Sequence, residues 1–289
     1  MRQSCSVSVR GGASVLQRIG LAFVVAIILA AILASVTTPR EVQSTIVAKS
    51  GDLNLRLTLI TQGGAITMGE PLIARIDLTN SSGDAVEVNL GNNLNPGTCL
   101  EILDDKGELL ASTPRPEPHV EGMKMIRTLE PAQVYSQHWV VSALYQFKRP
   151  GVYTVRVRQL RFADALPVLA EDEAQLRVLP FNRTLLEARC DVIFREMRGL
   201  TKGQKLPLSA YTKALYSVRD EAALPHLEWM GREWEDKHAF IALRRIGTKR
   251  ATDILSRLSS RQDGAGKAAR RALEKPLDKT DIMWEMNYY

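Results

Sequence analysis

The sequence predicts a multidomain α and β protein: an N-terminal helix long enough to span a membrane, an antiparallel β-sandwich, then a short stack of α-hairpins. Three observations predict it. Residues 19–36 are an unbroken apolar run, residues 53–180 hold short stretches of period-two alternation between turn residues, and residues 205–276 repeat a helical pattern, Ala214 aligning with Ala242. With 45% hydrophobic and 24% charged residues in 289, the composition is that of a globular chain with room for two modest cores.

The run Ile19–Val36 contains no charge, and Ser35 is its one strong polar group. As a helix its 18 residues reach about 27 Å, close to the roughly 30 Å hydrocarbon core. Arg2, Arg10 and Arg18 lie in the leader 1–18 with no acid beside them, which favours a cytoplasmic N-terminus. The expectation is a bacterial inner-membrane protein, single-pass, with the bulk of the chain periplasmic or extracellular. A cleaved signal peptide is the rival reading, with Ala34 a poor cleavage position. In such a compartment Cys99 and Cys190 can pair; closing a loop of about 90 residues stabilises a fold by about 4 to 5 kcal/mol in the chain-entropy model. Two buried thiols are the alternative, and spacing does not choose between them.

Residues 37–52 read as a polar linker around Thr45-Ile46-Val47. From Leu53 one buried and one wet face alternate: Leu53, Leu55, Leu57 and Leu59, then Leu72, Ala74, Ile76 and Leu78, then Val86, Val88 and Leu90. Gly63-Gly64, Gly69-Glu70-Pro71 and Asn80-Ser81-Ser82-Gly83-Asp84 supply turns, and Asp104-Asp105-Lys106-Gly107 predicts a hairpin over Cys99–Leu110. A loop with Pro114, Pro116 and Pro118 precedes strands expected at 134–141, 152–159 and 174–179. The order Gly69-Glu70-Pro71, Asn80-Ser81, Leu129-Glu130-Pro131 and Pro150-Gly151-Val152-Tyr153-Thr154-Val155 resembles the immunoglobulin-like sandwich of many bacterial envelope proteins and of a family of small proteinase inhibitors. The resemblance covers about residues 50–180. Its motifs are turn and core chemistry, specific for a sandwich and weak for an activity.

After Pro180 the period becomes helical. Asn182 caps a connecting helix expected over 183–198 within residues 181–204. Tyr211, Ala214, Leu215 and Val218, and again Ala239, Ala242, Leu243 and Ile246, give two narrow apolar stripes. Asp220 and Thr248 fall at equivalent positions as caps for second helices, and Gly247 is a natural left-handed terminator. Ala269, Ala272 and Leu273 begin a partial third unit, which Pro276 ends. The Ile246-Gly247-Thr248 junction and the Ala223-Leu224-Pro225 opening resemble short HEAT-type repeats, the phycobilisome-lyase-like version. That likeness implies a binding surface built from stacked helix pairs. Two and a half units are few for such a stack, so the connecting helix or the sandwich is expected to close one end. The tail 277–289 ends in apolar residues.

No G-x-S-x-G, Walker loop or Rossmann fingerprint occurs. His226 and His238 bracket a stretch with four acids whose spacing matches no helical metal motif, so a solvated connection is expected, and no cofactor. The formal charge of +6 is uneven: 21 Lys/Arg against 15 acids over residues 182–289, but 13 against 17 over 41–181. Arg250, Arg257 and Arg261 are expected on one side of a second helix, with Trp229 at the position equivalent to Arg257. Arg and Trp are enriched where partners are gripped, which makes these four a candidate ridge for an acidic protein or anionic headgroups. A solvated cationic face with Trp229 folded into the core is the plainer alternative. Nucleic acid fits the charge but not the compartment. The expected function is a non-enzymatic binding or scaffolding module for a protein partner outside the cytoplasm. A hydrolase with an unrecognised site and a proteinase-inhibitor-like sandwich are the alternatives.

Overall fold

A computed structural model of the chain describes residues 40–43, 46–90, 97–112, 126–160, 168–200 and 205–274. The chain divides into two units, Met1–Thr38 and Pro39–Tyr289, and all described residues belong to the second. The apolar run 19–36 and the tail 277–289 lie outside the described residues. Among the described residues no helix is long and apolar enough to cross a membrane. The second unit is mixed α and β, strands first and helices after.

The strands are β1 (Arg40–Gln43), β2 (Ile46–Ser50), β3 (Leu53–Thr61), β4 (Ala65–Thr67), β5 (Ile73–Asn80), β6 (Val86–Asn89), β7 (Thr98–Leu103), β8 (Ile126–Leu129), β9 (Val134–Val140), β10 (Gly151–Leu160) and β11 (Val168–Leu179). Nine of them form one sheet in the order β7-β10-β11-β2-β3-β5-β9, with β1 also on β3 and β4 parallel to β11; β6 and β8 pair separately. The segment expected as a linker therefore carries two strands. β1 extends the free edge of β3 and β2 joins β3 to β11, so pairing in the sheet orders a stretch whose own sequence is polar.

Alternation does what the sequence implies. The leucines of β3, Ala74, Ile76 and Leu78 of β5, Val155 and Val157 of β10, and Leu176 and Val178 of β11 share one buried cluster. The expected hairpin closes through Asp104, whose backbone N–H donates to the Glu108 carbonyl at 2.9 Å, with Gly107 at φ 80°. β11 starts six residues earlier than its apolar pattern suggests, because an acid takes one of its inward positions. Asp172 is buried, and its carboxylate accepts from the Leu57 backbone N–H of β3 at 2.7 Å.

The helices are α1 (Val141–Leu144), α2 (Arg183–Gly199), α3 (Lys205–Ser217), α4 (Leu224–Glu233), α5 (Lys237–Ile246), α6 (Lys249–Ser259) and α7 (Gly264–Glu274), with a 3-10 turn at Glu221–Ala223 before α4. Side chains cap five of the starts, with Asp263 accepting from the Gly266 N–H at 3.0 Å at the head of α7. Asn182 accepts from Leu185 N–H at 3.1 Å, Asp220 from Ala222 at 2.8 Å, Asp236 from His238 at 2.9 Å and Thr248 from Ala251 at 3.3 Å. Each satisfies a backbone donor that a helix start leaves open. Gly247 ends α5 at φ 69°.

The two halves share a core. Ile60, Ile73 and Val140 align across β3, β5 and β9 and are buried with the helical residues. Beside this row Arg189 of α2, 1% exposed, donates to the Ile60 carbonyl at 2.6 Å and stands 3.5 Å from Glu70, 5% exposed. The Thr67 hydroxyl donates to the Pro180 carbonyl at 2.6 Å and accepts from the Asn182 N–H at 2.8 Å. Burying the three apolar side chains stabilises the junction by about 1.5–3 kcal/mol each. A buried ion pair returns little net energy against its desolvation, so the apolar row holds the junction and the polar contacts set its orientation.

Candidate functional site

The described surface carries one aromatic cluster with a cation on it, and it lies where α2 meets α4. On α2 the inward positions are Leu186, Cys190, Ile193 and Met197, all buried. Asp191, Phe194, Arg195 and Arg198 follow the stripe beside them at helical spacing. On α4, His226 and Trp229 stand one turn apart and face that stripe. The Phe194 and His226 rings are 4.7 Å apart, Phe194 and Trp229 meet edge to face at 5.1 Å, and Trp229 meets Trp234 edge to face at 5.3 Å. The Arg198 guanidinium lies 5.0 Å from the Trp229 ring and 5.9 Å from the Phe194 ring. Trp234, just past the end of α4, is 41% exposed.

The turn that presents Trp234 is built by its neighbours. Its backbone N–H donates to the Met230 carbonyl at 3.0 Å. Glu235 then takes φ 52°, unusual for a residue with a side chain, and Asp236 starts α5. Gly231 lets α4 and α5 approach: a Cβ there would stand 2.7 Å from the Phe240 ring.

His226 Nε2 lies 3.0 Å from Asp191. Burial lowers the His226 pKa more than Asp191 raises it, so the ring is neutral near pH 7 and accepts packing under Phe194. Only 7% of its surface is exposed. His238 belongs elsewhere, beside Asp236 and Tyr216, whose hydroxyl donates to the Asp236 carboxylate. Burial tends to raise the Asp236 pKa, but the bonds from His238 and Tyr216 bring it down. The two histidines thus serve separate contacts, and among the described residues no three metal-ligating side chains converge. Flat aromatic edges beside an exposed guanidinium suit apolar and polar contact with another surface rather than proton transfer.

The four ridge residues fall in different settings. Trp229 is half-buried in the aromatic cluster. Arg257, with 64% of its side chain exposed, pairs with Glu228 at 2.6 Å, so α4 and α6 are neighbours at this level. Arg250 is exposed at the first turn of α6, where its charge adds to Thr248 and Arg183 in lowering the Glu221 pKa. Arg261 lies beyond the end of α6, at Ser259, and is ion-paired to Asp263 at 2.5 Å. The structure therefore brings Trp229 and Arg257 onto adjacent helices and spreads the other two along and past α6.

No bridge joins Cys99 to Cys190. Cys190 is buried in the helical core, where burial pushes its pKa up to about 12. Cys99 lies on β7, at the end of the sheet away from β9, while α2 meets the sheet at Ile60. Phe194, Arg198 and Trp234 were missed in the sequence. The available signal was two of the four tryptophans within six residues.

No family model matches the chain, and no curated protein matches it. Among solved structures it is similar to the yjhA protein from Bacillus subtilis, at 11% identity and TM-score 0.26 over 47% of this chain and 98% of that one. It is also similar to the CARDB domain of a Pyrococcus furiosus protein, at 10% identity and TM-score 0.27 over 50% of this chain and 100% of that one. A β-glucosidase from Listeria innocua matches at 13% identity and TM-score 0.25, over 45% of this chain and 16% of the enzyme. At such TM-scores these likenesses carry no functional argument.

Proposed function

We propose that the chain is a membrane-anchored binding or scaffolding protein of the bacterial envelope, held through Ile19–Val36 with its N-terminus cytoplasmic, which presents its helical half to a protein partner outside the cytoplasm. In this reading the strands form an immunoglobulin-like sandwich and α3 to α7 form HEAT-like hairpins. The shared buried cluster of β3, β5, β10 and β11 supports the first assignment. The equivalent caps at Asp220 and Thr248 support the second.

The observation that carries the binding reading is the Phe194–Trp229–Trp234 cluster with Arg198 on its face. Exposed Trp and Arg gathered in one patch are what the centres of protein interfaces use. The test is a photo-crosslinking residue at position 234 in the full chain, irradiated in detergent-solubilised membranes. A discrete adduct at 234, absent with the same residue at the exposed position 109 and lost with Arg198→Ala, is expected. Identical adduct patterns at 234 and 109 would remove the basis for the proposal.

A further inference from the structure

Residues 237–274 hold ten Lys/Arg against three acids, and the structure shows which charges are already answered. Arg257 and Arg261 are paired with Glu228 and Asp263. Lys249 and Arg250 are exposed at the first turn of α6, and a second group lies on α7, whose one acid, Glu274, is at its C-terminal end. Lys267, Arg270 and Arg271 stand at i, i+3 and i+4, all exposed, on the side away from buried Ala265, Ala269 and Ala272. The Arg270 guanidinium donates to the carbonyls of Ser259 and Arg261, which fixes its position and leaves its charge intact. Ala265, Ala269 and Ala272 pack into the helical core, so the exposed cations lie on the side of α7 turned away from it.

Two sources of negative charge fit such a face, and its surroundings choose between them. A stable protein interface needs an apolar or aromatic centre. Among the described residues the exposed large hydrophobics are Leu109, Ile126, Val134, Val152, Phe181, Leu185 and Trp234, none of them on α5, α6 or α7. Headgroup binding by clustered Lys/Arg needs no such centre. We propose that the outward face of α7 docks on an anionic phospholipid surface through Lys267, Arg270 and Arg271. This rests on the reading of Ile19–Val36 as a bilayer segment. Near an anionic leaflet three cations are worth roughly a hundredfold in occupancy. That is weak for recruiting a free protein and sufficient to orient a tethered one, and β1 begins only four residues beyond Val36.

The test reconstitutes the full chain into nanodiscs containing either a photoactivatable phosphatidylglycerol or its phosphatidylcholine counterpart, and maps the lipid adducts by mass spectrometry. Adducts on the α7 peptide are expected with phosphatidylglycerol alone. They are expected to fall by roughly the full hundredfold with Lys267→Glu/Arg271→Glu and to fade at high salt. The neutral pair Lys267→Gln/Arg271→Gln gives the same direction with less burden on folding. Equal α7 adducts from both lipids, adducts confined to other peptides, or adducts indifferent to salt and to both variants overturn the proposal. A chain that enters the nanodiscs without α7 adducts overturns this proposal alone; a chain that never enters them overturns the membrane reading and this proposal with it.

Discussion

Glu70 and Arg189 meet where the sheet joins the helices, and their contact is imperfect: one carboxylate oxygen accepts the Thr67 N–H at 2.8 Å, while the other stands 3.5 Å from the guanidinium. Burial therefore dominates, and the Glu70 pKa rises from 4.5 to about 7 despite the Thr67 bond and the Arg189 charge. A carboxyl that holds its proton more tightly when folded adds stability that is complete below its unfolded pKa and is lost as pH rises through the folded one. Wild-type protein is thus expected to lose about 3 kcal/mol from this group between pH 4.5 and about 7. Glu70→Gln is expected to remove that share. Chemical-denaturation midpoints of the two proteins across this range check it; parallel curves would show that Glu70 is ionised throughout. None of this was legible in the sequence, where Gly69-Glu70-Pro71 reads as a turn and Arg189 as one cation on a helix. Trp229 was singled out in the sequence as a ridge residue, but its neighbours Phe194 and Arg198 come from another helix, and no spacing along the chain announces them.

Single elements followed their local signals wherever the apolar pattern was clean. β3 and β5 lie where alternation puts them, and Asp220, Thr248 and Gly247 punctuate the helices as their chemistry suggests. Among the strands that escaped, two did so for opposite reasons. β2 holds one short apolar run, Ile46-Val47-Ala48, with no alternation to announce a strand, and it pairs with both β3 and β11. The first half of β11 was hidden by Asp172, which looks like a loop residue and instead satisfies a backbone donor inside the sheet. In the helical half, Gly231 marks the tightest approach. Gly231→Ala is expected to destabilise by about 1–3 kcal/mol through overpacking on Phe240, with Phe240→Leu in the same chain restoring part of the loss. Thermal melts of the single and double variants measure this; an unchanged midpoint for Gly231→Ala would mean that the ring moves aside at no cost.

The unit as a whole is less divisible than its sequence suggests. Composition and periodicity change at Pro180, and the expectation is two modest cores, with the connecting helix or the sandwich closing one end of the helical stack. Instead Ile60, Ile73 and Val140 of the sheet are buried with the helices, a contact between distant segments that periodicity does not encode. A chain ended after Pro180 is expected to lose roughly 5 kcal/mol from exposing that row and to bind an apolar dye that the intact protein ignores. The intact protein is expected to melt in one calorimetric step; two resolved steps would show that the shared row does not couple the halves.

The Thr67 hydroxyl, held between the Pro180 carbonyl and the Asn182 N–H, gives that coupling a mechanical sense. It fastens the root of α2 to β4, and β4 runs parallel to β11 through Arg177, Val178 and Leu179. A load entering α2 through Phe194 or Arg198 therefore meets β4 and β11 as one fastened pair.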